Sequence, residues 1–293
     1  MRLVVRNFKQ FREAAIEGDK ILLYGPNGAG KSTLIHLIAL LYGAAIGERI
    51  HDEAVVSTAD FRKGAAVGSP EGSDGTYVKF EAEGFSAEIV GDQLVYRGRE
   101  YPLTAGLNVL RASVWHVTEH FFNVYGDRTC RGERSKTDRN APISGAAVGY
   151  GDRLAYGYRE LKVSCPEAAR VVSHYFNVYY DLVETEMGWI PLDRLSYGQR
   201  RLIVMNIALR LGDVVLIENL EAGLHVDTLA DLITVVPHLR SSVVMETHSG
   251  LAVRLALSRG IAAYYVDGGE VKKIESLDLP LFQKELYAYS AQL

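Results

Sequence analysis

An α/β fold, in which the two ends of the chain build one scaffold around an inserted middle, is predicted by three observations. The apolar run "KILLYG" leads into the glycine-rich "GPNGAGKST" and then into "KSTLIHLIALLYGAA", whose apolar residues recur every three or four positions. Near the other end, "DVVLIEN" and "SSVVMETH" are short apolar runs of buried-strand type, each followed by a helical pattern. Between the ends, "TYVKFEAEGFSAEIVGDQLVYRGREY" alternates apolar and polar residues, with turn residues between runs, as an antiparallel meander does.

With 293 residues, 48% hydrophobic and 23% charged, the chain is long enough to bury a large core and has an ordinary globular composition. No apolar run approaches the roughly 18 residues that span a bilayer, and "MRLVVRNFKQF" lacks the apolar centre of a signal peptide. A net charge of −4 gives no global pull toward nucleic acid, so any such contact would be a local patch. Cys130 and Cys165 lack metal-ligand spacing, and so low a count fits a reducing interior; the expected location is cytoplasmic, with no membrane partner.

Taken in order, "MRLVVRNF", "FREAAIEG" and "KILLYG" read as strands, and a helix is expected from Lys31 to about Ala45. A Gly-, Ser- and Asp-rich connection precedes the meander. "LRASVWHVTEHFF" reads as strand or helix, and "YGDRTCRGERSKTDRNAPISGAAVGYGD" as a long polar loop. "PEAARVVSHYFNVYYDLVETEM" opens on a proline and reads as a helix. "RRLIVMNIALRLG" is a helix stopped at Gly212, "VDTLADLITVVPHL" and "SGLAVRLALSRG" are helices, and "AAYYVDGGEVKKI" is a hairpin about Gly268 and Gly269. The expected division is 1–104 and 191–293 for the two parts of the scaffold and 105–190 for a helical and loop lid.

Chemistry concentrates first in residues 25–33, which fit G-x-x-x-x-G-K-[ST] between a strand and a helix. Such a loop turns successive backbone N–H groups of Asn27, Gly28, Ala29, Gly30, Lys31, Ser32 and Thr33 toward phosphate oxygens at a helix N-terminus. Lys31 would sit between the β- and γ-phosphates of ATP, and the Ser32 hydroxyl would face Mg2+. A second candidate anion surface is "LSYGQRR", where Ser196, Gly198 and Gln199 open another helix.

At this point the sequence resembles the ABC-type P-loop ATPases, whose "LSGGQ" signature touches the γ-phosphate held by an opposing subunit. Tyr197 in place of the first signature glycine, the "NF" strand-turn near the start and "LEAGLH" at 220–225 resemble the RecF, SMC and OLD-like (AAA-15/AAA-21-type) group rather than the transporters. His225 stands where transporters carry a D-loop aspartate. No coiled coil or Toprim segment is expected. The resemblance implies an ATPase head with a mixed β-sheet, an antiparallel meander and an inserted lid, and a homodimer that forms on ATP. It further implies a nucleic acid or effector protein engaged through the lid, in DNA repair or defence.

The same resemblance implies that Glu218 is the magnesium-side carboxylate, with Ser32, and that Asn219 holds the place of the water-polarising glutamate. An amide orients water but takes no proton, and loss of a general base costs a factor of roughly 10² to 10⁴. Slow hydrolysis is therefore expected, with Asn219, Glu221 and the switch-like His248 as catalytic residues and Glu246 as a further nearby carboxylate. A non-hydrolysing ATP-gated binding module is the alternative, and a transporter subunit the least favoured reading. Asp60 in "STADFRKG" stands where the family has its Q-loop glutamine. Arg12 could flank the base, and the mixed charges of Arg128, Arg131, Arg134, Lys136 and Arg139 read as a solvated loop or a phosphate-backbone contact.

Overall fold

The computed structural model describes residues 1–47, 75–82, 84–91, 93–102, 106–118, 121–126, 148–149, 178–179, 182–186, 188–191 and 194–276. Asp60, both cysteines, the charged stretch 127–139 and most of the 105–190 segment lie outside these residues.

An eight-stranded mixed sheet forms the centre, with strand order β10-β9-β8-β14-β15-β3-β16-β17. Its parallel heart is β8 (Val114–Val117), β14 (Val214–Ile217), β15 (Ser242–Thr247), β3 (Lys20–Tyr24) and β16 (Ala262–Asp267). One edge is closed by antiparallel β17 (Glu270–Ile274), the other by β9 (Phe121–Tyr125) and β10 (Val148–Gly149).

These heart strands read as continuous apolar runs because both sheet faces are covered. Alternation divides their side chains between two cores. Ile21, Leu23, Val114, Val214, Leu216 and Val244 pack on one side with helix α1 (Lys31–Ile46). Leu22, Trp115, Val215, Ile217, Val243 and Met245 pack on the other with α2 (Tyr197–Leu211), α3 (Val226–Val235) and α4 (Gly250–Ser258).

Over α1 lies a six-stranded antiparallel sheet of order β2-β1-β4-β5-β6-β7. It is made by β1 (Arg2–Phe8), β2 (Phe11–Glu17), β4 (Tyr77–Ala82), β5 (Phe85–Val90), β6 (Gln93–Tyr96) and β7 (Arg99–Pro102). The expected meander is therefore present, and α1 is sandwiched between sheets. Phe80, fully buried, meets Tyr42 of α1 edge-to-face with ring centroids 5.1 Å apart.

Two local expectations change. The stretch "VWHVTEHFF", ambiguous in sequence, supplies strands β8 and β9, so residues 114–117 and 121–125 of the expected lid belong to the main sheet. The fully buried Val114, Trp115 and Val117 require that position, since β8 pairs in parallel with β14. The expected helix of 166–187 is contradicted where it is described, because β11 (Val178–Tyr179), β12 (Leu182–Thr185) and β13 (Gly188–Pro191) form an antiparallel sheet. Cross-strand pairing of β-branched Val183 with Ile190, and a Thr185 hydroxyl donating to the Gly188 carbonyl at 2.9 Å, outweigh helical spacing there.

Candidate functional site

The site lies at the carboxyl ends of β3, β15 and β14, where open parallel sheets place their ligand crevice. From β3 the chain enters the glycine loop and then α1, whose N-cap Gly30 has φ 100°, a left-handed conformation that favours glycine. A side chain there would also collide with Gln10 Nε2, 2.0 Å from an added Cβ. A cavity of about 200 Å³ is lined by Gln10, Asn27, Gly28, Gly30, Lys31, Ser32, Thr33, Glu246 and His248. Thus the loop residues expected from sequence meet His248, Glu246 and Gln10. Ala29 belongs to the loop but is buried in the core on the α1 side.

Lys31 is buried and donates to the carbonyls of Gly25 at 3.0 Å and Pro26 at 2.9 Å, with Nζ 3.4 Å from His248 Nδ1. Burial lowers its pKa from the ordinary lysine value, while Glu246 and Glu221 pull it back up. The Ser32 hydroxyl donates to Glu246 Oε2 at 2.8 Å. Burial raises the Glu246 pKa, and the neighbouring Glu218 raises it further against the opposing pull of Ser32 and Lys31.

Glu221 accepts hydrogen bonds from the Thr247 hydroxyl and the His248 backbone N–H, both at 2.7 Å. It therefore orients the turn that carries His248 and does not line the cavity. Asn219 follows Glu218 at the end of β14 with φ 47°, a left-handed conformation in which asparagine is enriched. Its carbonyl accepts from Ala222 N–H at 2.9 Å, so this residue makes the turn into 220–225. Neither Asn219 nor Glu218 lines the cavity.

Glu218 has surroundings the sequence did not disclose. Its Oε1 lies 2.7 Å from His36 Nε2 and 2.5 Å from His116 Nε2. Burial would push its carboxyl pKa up, but the two imidazoles outweigh that and hold it down at about 2. Parity explains the meeting: His116, Glu218 and Glu246 share the sheet face of Val114, Leu216 and Val244, the face that α1 covers. His36 is one helical turn beyond Ser32.

For Mg2+, the donor set fits at Ser32 and Glu246. These are hard oxygen donors 2.8 Å apart, and neighbouring ligands in an octahedral Mg2+ shell with bonds of about 2.0–2.1 Å lie about 2.8–3.0 Å apart.

The signature residues form a separate surface. Ser196 caps α2 by accepting from Gln199 N–H at 3.3 Å, and the Gln199 side chain accepts from Ser196 N–H at 3.0 Å, a complete capping box. Gly198 abuts the 220–225 turn so closely that an added Cβ would lie 1.9 Å from the Gly223 carbonyl oxygen. Arg201, fully buried on the same helix, donates to the carbonyls of Glu218 at 2.5 Å, Leu220 at 3.1 Å and Ala222 at 2.9 Å. Its role was missed in sequence, where an arginine in a helix reads as surface.

The family described as "AAA domain, putative AbiEii toxin, Type IV TA system" matches residues 107–254, just over half of the chain. The chain belongs to that family. A second family, described as "AAA domain", matches residues 2–142. The SMC head domain from Thermotoga maritima has the same fold, with a TM-score of 0.53 at 17% identity over 94% of this chain and 98% of that one. An SMC head bound to the C-winged helix domain of ScpA gives 0.51 at 13% identity, again over 94% and 98%. No curated protein matches the sequence. This AAA domain protein is thus a P-loop ATPase of RecF/SMC-like fold. Among the described residues no helix is long and apolar enough to cross a membrane.

Proposed function

We propose that this AAA domain protein binds Mg-ATP in the Lys31 cavity and hydrolyses it slowly, with Glu246 as the carboxylate next to the reacting phosphate. The observation that carries the reading is the convergence of Lys31, Ser32, Glu246 and His248 on one cavity beside the glycine loop. Lys31 would balance charge on the β- and γ-phosphates, and the loop N–H groups would orient them. Ser32 and Glu246 would hold Mg2+, which supplies charge neutralisation at the phosphate oxygens. Glu246, the carboxylate that lines the cavity, would keep its second oxygen for the attacking water and accept its proton, the task that Asn219 cannot perform. Asn219 would orient water from its turn, Glu221 would position His248, and His248 would face the γ-phosphate. Glu218, where the resemblance places the metal carboxylate, acts in this reading through its charge beside Glu246.

Ser196, Gly198 and Gln199 would complete the site of an opposing subunit in an ATP-dependent homodimer, and the part of residues 105–190 that lies outside the main sheet would carry the lid. The type IV TA system in the family's description supports a defence setting, and the SMC head bound to a ScpA domain supports an effector protein as partner. DNA repair and a nucleic-acid partner rest on the sequence resemblance.

Single-turnover ATP hydrolysis tests the reading. Glu246→Gln is expected to slow turnover by about 10² to 10⁴ while retaining ATP, and Asn219→Gly, which keeps the left-handed turn, to slow it less. Lys31→Ala should lose ATP binding and nucleotide-dependent dimerisation in light scattering. Wild-type turnover that is unchanged in Glu246→Gln would remove Glu246 from the chemistry. Absence of turnover in wild type would favour the ATP-gated binding module.

A further inference from the structure

We infer that His36, His116 and Glu218 form a site for a borderline divalent transition cation, Zn2+ being the best fit, separate from the Mg2+ position at Ser32 and Glu246. Three elements supply one ligand each: α1 gives His36, β8 gives His116, and the end of β14 gives Glu218. Their ligating atoms all lie within 4.8 Å of one another, and both Nε2 atoms converge on one carboxylate oxygen. The rings are edge-on at 5.3 Å between centroids, with an interplanar angle of 70°, and the Nε2–H groups that now donate to the carboxylate would release their protons to bind an ion.

Two imidazoles and one carboxylate suit Zn2+ and its neighbours in the transition series, whereas Mg2+ prefers oxygen donors alone. Bonds of 2.0–2.2 Å to a tetrahedral ion put ligand atoms about 3.3 Å apart. The present 2.7 Å and 2.5 Å separations therefore need to widen by less than about 1 Å, within reach of a carboxylate rotation. His116 is anchored by burial, its side chain only 4% exposed, while His36 and Glu218 at 24% and 15% leave a path for the ion to enter. A bound cation would tie α1 to β8 and β14 behind the ATP cavity.

The inference does not depend on ATP hydrolysis and is tested without nucleotide. Untagged full-length protein, stripped with a chelator, is dialysed against Co2+ alone. The expected result is one Co2+ per chain with visible ligand-field bands, displaced by Zn2+ but not by excess Mg2+. His36→Gln with His116→Gln should lose the ion, whereas Ser32→Ala with Glu246→Gln should keep it. If the histidine variant fails to fold, X-ray absorption of the Zn2+-loaded wild type decides, and two imidazole ligands are expected. No bound Co2+, Co2+ that survives loss of both histidines or leaves with Ser32 and Glu246, or a shell with fewer than two imidazoles would each overturn the inference. The two histidines would then be hydrogen-bonding partners of Glu218 and nothing more.

Discussion

The glycine loop and the signature turn each open a helix with polar groups, yet they are assembled by different means. At the glycine loop the polar atoms face inward and meet partners far along the chain: Lys31 with His248, and Ser32 with Glu246. At the signature turn, Ser196 and Gln199 are exposed and satisfy each other across three residues. The first region is a cavity that requires the whole sheet to exist. The second is a self-capped helix end whose outward face is available to another surface. Arg201 links the two indirectly: it holds the backbone of the 218–222 turn, whose Glu221 accepts the backbone N–H of His248 in the cavity wall.

That link gives the largest expected effect. Arg201→Met leaves the carbonyls of Glu218, Leu220 and Ala222 without their donor, and should cost about 3–5 kcal/mol of unfolding free energy in denaturant titration. A loss under 1 kcal/mol would show the two regions to be independent. Gly198→Ala is expected to cost about 1–3 kcal/mol, because the added methyl meets the Gly223 carbonyl oxygen and overpacks the contact. The helix propensity gain from Gly to Ala is only about 1 kcal/mol and opposes this. A stabilised variant would mean that the turn moves freely and that the contact does not set the spacing of the signature helix and the 220–225 turn. Ser196→Ala removes one half of a local cap and should cost about 1 kcal/mol. The same variant should leave ATP binding by the isolated chain unchanged while weakening nucleotide-dependent dimerisation. Equal loss of both would erase the contrast between inward cavity and outward turn.

The contrast also explains what could be read without a structure. The glycine loop was legible because its chemistry is local: nine consecutive residues carry the turn, the lysine and the hydroxyl. The heart strands were legible because burial on both faces demands apolar runs such as Val214–Ile217. Capping by Ser196 and Gln199 lies within one helical turn, so it too follows from sequence. The described part of the 166–187 stretch was misread because Val, Tyr and Thr at helical spacing also suit a hairpin, and only cross-strand partners decide between them. Strand β8 was undecided until β14 lay beside it.

Glu246 appeared in sequence as one carboxylate among several, and Glu221 as a catalytic candidate. The fold distinguishes them by where each is aimed, Glu246 at Ser32 and Glu221 at the backbone of His248. Local composition and spacing by themselves determined an α/β scaffold and its phosphate loop, and the family resemblance marked the departure at Asn219. Tertiary structure alone decided that His36 and His116 close on Glu218, that Arg201 is buried, and that Glu246 reaches the cavity. Those contacts join residues 17 to 214 positions apart, and which of them meet is set by strand order and side-chain parity in the finished sheet.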